Sequence, residues 1–272
     1  MKEKRQERAP ASNTITFLGT GGARFIMASQ LLATGGIWLN LNGTQILLDP
    51  GPGSIVQAAK RKLNAEKLSA VILSHRHLDH AGDVNIIIEA MTRSGQHKHG
   101  WLFAPGDALG TDSVVFSYLR NYLEGIQPLQ AGKSYSIDDV SFSTPVRHTH
   151  LVETYGMVFK AGNHTFSYIA DTRYFADLTK YYTGELLIMN VTFLEPRFPE
   201  NSILPIDHLS VPDAERLITA IKPKIAIMTH FGMSMWRAHP WQVAEKMSQQ
   251  TGIKVVAARD GMVFDLAQLD ND

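Results

Sequence analysis

Four side chains able to bind a metal ion fall at positions 75 to 80, in the segment Ser74-His75-Arg76-His77-Leu78-Asp79-His80. The segment follows Ala70-Val71-Ile72-Leu73, an apolar run that reads as a buried strand. His75 and His77 are two residues apart, so an extended backbone points both the same way. Asp79 and His80 are then able to turn toward a second ion. The plain alternative is a surface histidine tract, but such tracts rarely follow a buried strand and include an aspartate. Farther along stand His148, His150, Asp171, His208 and His230. Taken alone, Asp171 before Thr172 reads as a helix cap, and His208 as a histidine packed near a helix start. The chain has no cysteine, which excludes disulfides, thiolate sites and cysteine nucleophiles. Any metal must be held by imidazole and carboxylate, a donor set that suits zinc, manganese, iron or nickel.

Composition narrows the setting. Lys plus Arg and Asp plus Glu number 26 each among 272 residues, so no global basic field draws in nucleic acid. No stretch approaches the ~20 apolar residues of a membrane span, and Met1 to Ala11 is charged and lacks the apolar run of a secretion signal. The expectation is a cytoplasmic protein with a disordered tail over 1–12 and one domain over 13–272.

The elements that must position these donors alternate between strand and helix. Thr14 to Leu18 reads as a strand ending in Gly19-Thr20-Gly21-Gly22, a tight turn rather than a phosphate cradle, because no long apolar helix opens behind it. Strands Ile37 to Leu41 and Thr44 to Leu48 flank Asn42-Gly43, a strong hairpin signal. Helices are expected over Ser54 to Leu63 and Asp83 to Met91, and a strand over Ala70 to Ser74. Between Thr92 and Leu129 the periodicity is mixed and assigns no element. Strands follow over Ser141 to Ser143, Thr154 to Lys160, Thr165 to Ala170 and Leu186 to Val191. Ser210-Val211-Pro212-Asp213 is a capping box opening a helix with Ala214, Leu217, Ile218 and Ile221 on one face. Strand Lys224 to Thr229 ends at His230. Pro240 suits a first helical turn, Gly252 a helix stop and Lys254 to Ala257 a last strand. Alternation in both halves predicts an α/β fold, a four-layer helix–sheet–sheet–helix sandwich with functional residues at strand ends. Trp38, Trp101, Trp236 and Trp241 are able to line a pocket, but core packing accounts for them adequately. His97 and His99 fall in a polar loop, and His164 and His239 in turns.

His-x-His-x-Asp-His after an apolar strand resembles the signature of the metallo-β-lactamase superfamily. Leu47-Leu48-Asp49-Pro50-Gly51 resembles that superfamily's first motif, and the likeness extends from about Thr14 to Leu266. The resemblance implies the αββα fold and two divalent metal ions, zinc before manganese, iron or nickel. His75 and His77 would bind one ion, Asp79 and His80 the other, and Asp49 would orient a ligand histidine from behind. The family's third histidine lies six residues before a strand glycine; His150 to Gly156 has that spacing, while His148 is eight away. His150 is therefore expected as the ligand and His148 as a structural neighbour, with the choice left to geometry. Asp171 matches the carboxylate that bridges both metals, and His230 the last ligand of the second site. His208 matches a histidine that faces the substrate in the phosphodiesterase branches and donates a proton to the leaving group.

Two ions about 3.5–4 Å apart share a bridging water and make it hydroxide near neutral pH. The resemblance is nearest to the ribonuclease Z and cyclic phosphodiesterase branches. Two departures weigh against tRNA as a partner. Only twenty residues separate His150 from Asp171, where ribonucleases carry a long arm, and Asn190 stands where an acidic partner of the proton-donating histidine is expected. The expected activity is metal-dependent hydrolysis of a small cyclic phosphate or nucleotide-like diester. Lactone or thioester hydrolysis on the same site is the alternative, and a non-catalytic metal-binding module the second. Homo-oligomerisation is left open.

Overall fold

The computed structural model describes residues 13–196 and 206–270; the expected tail over 1–12 lies outside them. The chain lays down β1 (Thr14–Phe17), β2 (Ile37–Leu41), β3 (Thr44–Leu48), β4 (Ala70–Ile72), β5 (Trp101–Ala104) and β6 (Gly125–Pro128). It continues with β7 (Lys133–Ile137), β8 (Val140–Thr144), β9 (Met157–Ala161), β10 (His164–Ile169), β11 (Leu186–Phe193), β12 (Leu209–Ser210), β13 (Ile225–Thr229), β14 (Lys254–Ala257) and β15 (Val263–Asp265). One sheet runs β15-β1-β2-β3-β4-β5-β6, and the other β14-β13-β11-β10-β9-β8-β7 with β12 beside β11.

Side-chain alternation along the strands creates three apolar layers. Ala70 and Ile72 of β4, Leu186 and Ile188 of β11, and Ile225 and Ile227 of β13 face the core between the two sheets. Val71 and Leu73 face a second core with Val84, Ile87 and Ile88 from helix Val84–Met91. Leu187, Met189, Ala226 and Met228 face a third, closed by Leu217 and Ile218 of helix Val211–Ile221 and Met247 of helix Pro240–Thr251. Helices therefore cover both outer faces, and the fold is the αββα sandwich that the alternation implies.

Strand direction positions the site. β3, β4 and β5 are parallel, as are β10, β11 and β13. Their C-terminal ends consequently converge on one edge, which carries Asp49, the Ser74–His80 segment, Asp171 and His230.

The Asn42-Gly43 hairpin and the Ser210–Asp213 capping box form as expected, the latter with the Ser210 amide donating to the Asp213 carboxylate at 3.1 Å. Several boundaries differ. The strand expected from Thr154 starts only at Met157, because His148 N–H bonds back to the Thr154 carbonyl and holds that stretch in the loop. The unassigned stretch contains β5 and β6, which pair in parallel under helical cover. A seven-residue helix, Ala23–Ser29, opens directly behind the glycine turn. His164 begins β10 rather than a turn.

Candidate metal centre

The structure brings all seven expected donors together. His75, His77 and His150 form one cluster; Asp79, His80 and His230 form another; Asp171 joins His75 and His80 between them. In the first, His77 Nδ1 is 3.1 Å from His75 Nε2 and 3.1 Å from His150 Nε2. In the second, His80 Nε2 is 2.9 Å from His230 Nε2, and Asp79 Oδ2 is 3.3 Å from His230 Nε2.

Contacts on the far side of the His75, His80, His150 and His230 rings explain which nitrogen faces inward. His80 Nδ1 donates to Asp49 Oδ2 at 3.0 Å, leaving its Nε2 lone pair for the centre. The Ser74 hydroxyl donates to the same carboxylate at 2.7 Å, so its oxygen accepts from His75 Nδ1 at 3.0 Å. His150 Nδ1 donates to the Asp207 carbonyl at 2.9 Å, and His230 Nδ1 lies 3.0 Å from Thr192 Oγ1. Outer partners of this kind fix ring orientation and tautomer before any ion arrives.

His148 is placed elsewhere. Its buried ring donates from Nδ1 to the Asp171 carbonyl at 3.2 Å and accepts the Tyr182 hydroxyl at Nε2. Burial pushes its pKa down to about 4 and that of His150 likewise to about 4. Gly156 leaves room for this pair: a Cβ there would come within 2.3 Å of the Tyr182 hydroxyl and 2.9 Å of the His148 ring.

Asp171 provides the test of whether a cation fits. Its Oδ1 accepts from Asn190 Nδ2 at 2.9 Å, but Oδ2 is buried with no hydrogen-bond partner. That oxygen lies 3.7 Å from His75 Nε2, 3.4 Å from His80 Nε2 and 3.4 Å from His208 Nδ1. An unsatisfied buried carboxylate oxygen is costly; a cation on each side would satisfy it, and the nitrogen and oxygen donors fit such ions. Burial opposes ionisation of Asp171, yet His230, His208 and His80 outweigh it and hold the carboxyl well below its usual range. Asp79 is lowered too: burial resists, and His80 and His230 prevail. Both therefore stay anionic at neutral pH.

His208, one residue before β12, stacks on His230 with ring centroids 5.8 Å apart. Its Nδ1 points inward, 3.4 Å from Asp171 Oδ2 and 3.3 Å from Thr192 Oγ1, while Nε2 has no partner among the described residues. Burial would lower its pKa, but Asp171 and Asp79 raise it above the ordinary value.

Thr192, Tyr168 and Ala23 escaped the sequence reading, and Asn190 has a different role from the one its position suggested. Asn190 does not serve as a partner of His208; it donates to Asp171 and, at 3.2 Å, to the Tyr168 hydroxyl, which in turn donates to Asp49 at 2.9 Å. Asn190 and Thr192 interrupt an apolar strand at two-residue spacing, a signal that was available; Tyr168 has none. The Ala23 amide donates to Asp79 Oδ2 at 3.0 Å, so the glycine turn is a wall of the centre. Trp38 and Trp101 pack into the cores, whereas Trp236 and Trp241 are exposed and line a pocket, so the core reading fails for them and the alternative holds.

A family model described as a beta-lactamase superfamily domain matches residues 44–231. The chain is similar to an uncharacterized protein of Methanocaldococcus jannaschii, MJ1374, with 33% identity over 261 residues, 93% of this chain and 94% of the relative. Ribonuclease Z of Thermococcus sibiricus is 29% identical over 110 residues, 40% of this chain and 33% of that one, so the likeness spans about a third of that enzyme. Among solved structures, the metallo-β-lactamase fold protein YhfI from Bacillus subtilis superposes with a TM-score of 0.74 at 20% identity, covering 94% of this chain and 100% of that one. A diphosphatase from the PhnP family gives a TM-score of 0.69 at 18% identity, covering 93% and 97%. At such identities the structural likeness is one of fold. The family match across most of the chain, together with a clustered His/Asp metal-binding site at the expected strand ends, means that the chain belongs to the metallo-β-lactamase superfamily and carries its metal-dependent hydrolase architecture.

Proposed function

We propose that the protein is a two-metal phosphodiesterase acting on a small cyclic phosphate or a nucleotide-like diester. The observation that carries this reading is His208, seated over the shared carboxylate with Nδ1 anchored inward and Nε2 unpartnered. Two divalent ions, zinc first on the donor set, would supply activated water and neutralise charge building on the phosphoryl oxygens. His75, His77 and His150 would hold one ion, Asp79, His80 and His230 the other, with Asp171 shared.

The remaining work belongs to the chain. A P–O bond forms from water and the ester P–O bond breaks, so the departing alkoxide needs a proton. His208 Nε2 is the donor, aimed outward by the anchoring of Nδ1 beside Asp171 and Thr192. A small substrate is supported by the β9–β10 hairpin, which closes through Gly162-Asn163 and carries no extended arm between His150 and Asp171. Likeness to ribonuclease Z and to a PhnP-family diphosphatase supports phosphoester chemistry.

The test is a panel of phosphodiesters, phosphomonoesters, lactones and thioesters with metal-loaded protein. A cyclic or nitrophenyl diester is expected to turn over fastest. Lactone or thioester turnover above diester turnover would transfer the protein to that class. Metal-loaded protein inert to the whole panel would be a binding module.

A further inference from the structure

Trp236 and Trp241 are 38% and 58% exposed, an unusual cost for two indoles that add nothing to the core. They line a cavity of about 580 Å³ together with Phe231, Arg237, His239 and Arg259, within the ~300–1,000 Å³ typical of small-molecule sites. None of the seven donors lines it. A strip of backbone separates it from the metal centre: Phe231 N–H donates to the Thr20 carbonyl at 2.8 Å, and Gly22 N–H to the Phe231 carbonyl at 3.1 Å.

The cavity's rim is built. His239 joins helix Met233–Arg237 to helix Pro240–Thr251 with φ 57°, a left-handed backbone that side-chain-bearing residues rarely adopt. Its amide donates to the Trp236 carbonyl at 3.2 Å, its carbonyl accepts from Gln242 at 2.8 Å, and its ring lies 4.9 Å from Trp241. Charge selects which ligand. Neither the Arg237 nor the Arg259 guanidinium has an ion-pair partner among the described residues. The lining carboxylate, Asp260, is occupied by the Thr20 amide at 2.9 Å, the Thr20 hydroxyl at 2.7 Å and the Ala33 amide at 2.8 Å.

We propose that this cavity binds a planar aromatic ring bearing an anionic group, of the nucleoside monophosphate class, with the ring stacked on the indoles and the anion held by Arg237 and Arg259. Aromatic faces accept any base, and guanidinium pairs geometrically with phosphate. A second copy of the chain fits less well inside the cavity, because the lining itself offers no free carboxylate for either arginine.

Calorimetry and tryptophan emission would follow titration of the protein with adenosine monophosphate, once metal-loaded and once after chelation. Saturable binding is expected in both states, with adenosine and inorganic phosphate each weaker. Trp241→Leu and Arg237→Ala, both at exposed positions, should weaken binding about tenfold or more while leaving metal content and panel turnover unchanged. Because the readout is independent of turnover and persists without metal, its failure is distinct from failure of the phosphodiesterase reading. Three results overturn the proposal. One is the absence of nucleotide binding by folded protein. A second is binding that neither substitution weakens. The third is sedimentation showing self-association that Trp241→Leu abolishes, which would make the cavity a subunit contact.

Discussion

An imidazole binds a cation only when its lone pair faces the ion, and here the neighbour on the opposite nitrogen decides that. His150 and His148 differ in this respect. His150 gives its N–H to the Asp207 carbonyl and turns Nε2 toward His77, whereas both nitrogens of His148 are consumed by Asp171 and Tyr182. His150→Ala should therefore lose one metal equivalent, because catalytic zinc-type sites generally rely on three protein ligands. His148→Ala should keep both ions and lose at most ~10–100-fold in turnover. Elemental analysis at matched metal supply decides, and the reverse pattern would show that the ligand has been misassigned. His208 invites a different comparison. General acid catalysis contributes ~10²–10⁴-fold and matters most for poor leaving groups. His208→Ala should slow an alkyl diester much more than a nitrophenyl diester, with metal content unchanged; equal losses would assign His208 to positioning instead.

At the scale of elements, the centre is held by turns at strand ends rather than by the strands themselves. Asp49, directly after β3, and His230, directly after β13, both take left-handed backbone, with φ of 51° and 62°. Such conformations persist only where the surroundings over-determine them. For His230 the surroundings are the glycine turn after β1. A Cβ on Gly22 would sit 2.3 Å from the His230 ring, which Thr192 and His80 fix from two other sides. Gly22→Ala should consequently displace His230, drop the second metal and cut diester turnover more than about tenfold, as loss of a ligand does. Retention of two metals and full turnover by this variant would contradict the role given to the turn.

For the molecule as a whole, the centre draws its donors from both sheets, beyond the ends of a shared core that reaches Leu48, Ile72 and Ala170. Asp49, Ser74 and the His75–His80 segment come from one sheet, Asp171, Asn190, Thr192 and His230 from the other. Ions bound only by the folded state stabilise it by about 4 kcal/mol each at a thousandfold excess over Kd. At roughly 2–4 °C per kcal/mol for a chain of this size, removal of both ions by chelation should lower Tm by about 16 °C or more, and resupply to close to two ions per chain should restore it. Calorimetry with parallel metal analysis checks both; a Tm indifferent to chelation would mean that the ions do not cross-link the sheets. Among the described residues no helix is long and apolar enough to cross a membrane.

Local features were legible in the order of the residues. The apolar run Ala70 to Leu73 followed by His75, His77, Asp79 and His80, the Asn42-Gly43 hairpin and the Ser210–Asp213 box depend on neighbours within a few residues, and their types are written in period and turn chemistry. Strand–helix alternation likewise indicated the layers. What depended on distant partners was decided only by the tertiary structure. Parallel pairing of β10, β11 and β13 places Asp171 beside His230, and the registry of β11 turns Asn190 and Thr192 toward the centre. Tyr168 matters because it spans from one sheet to Asp49 on the other, a distance of 119 residues along the chain that no local pattern encodes. Trp236 and Trp241 show the same dependence: an indole suits core or pocket, and only the packing reveals that these two were left outside the core.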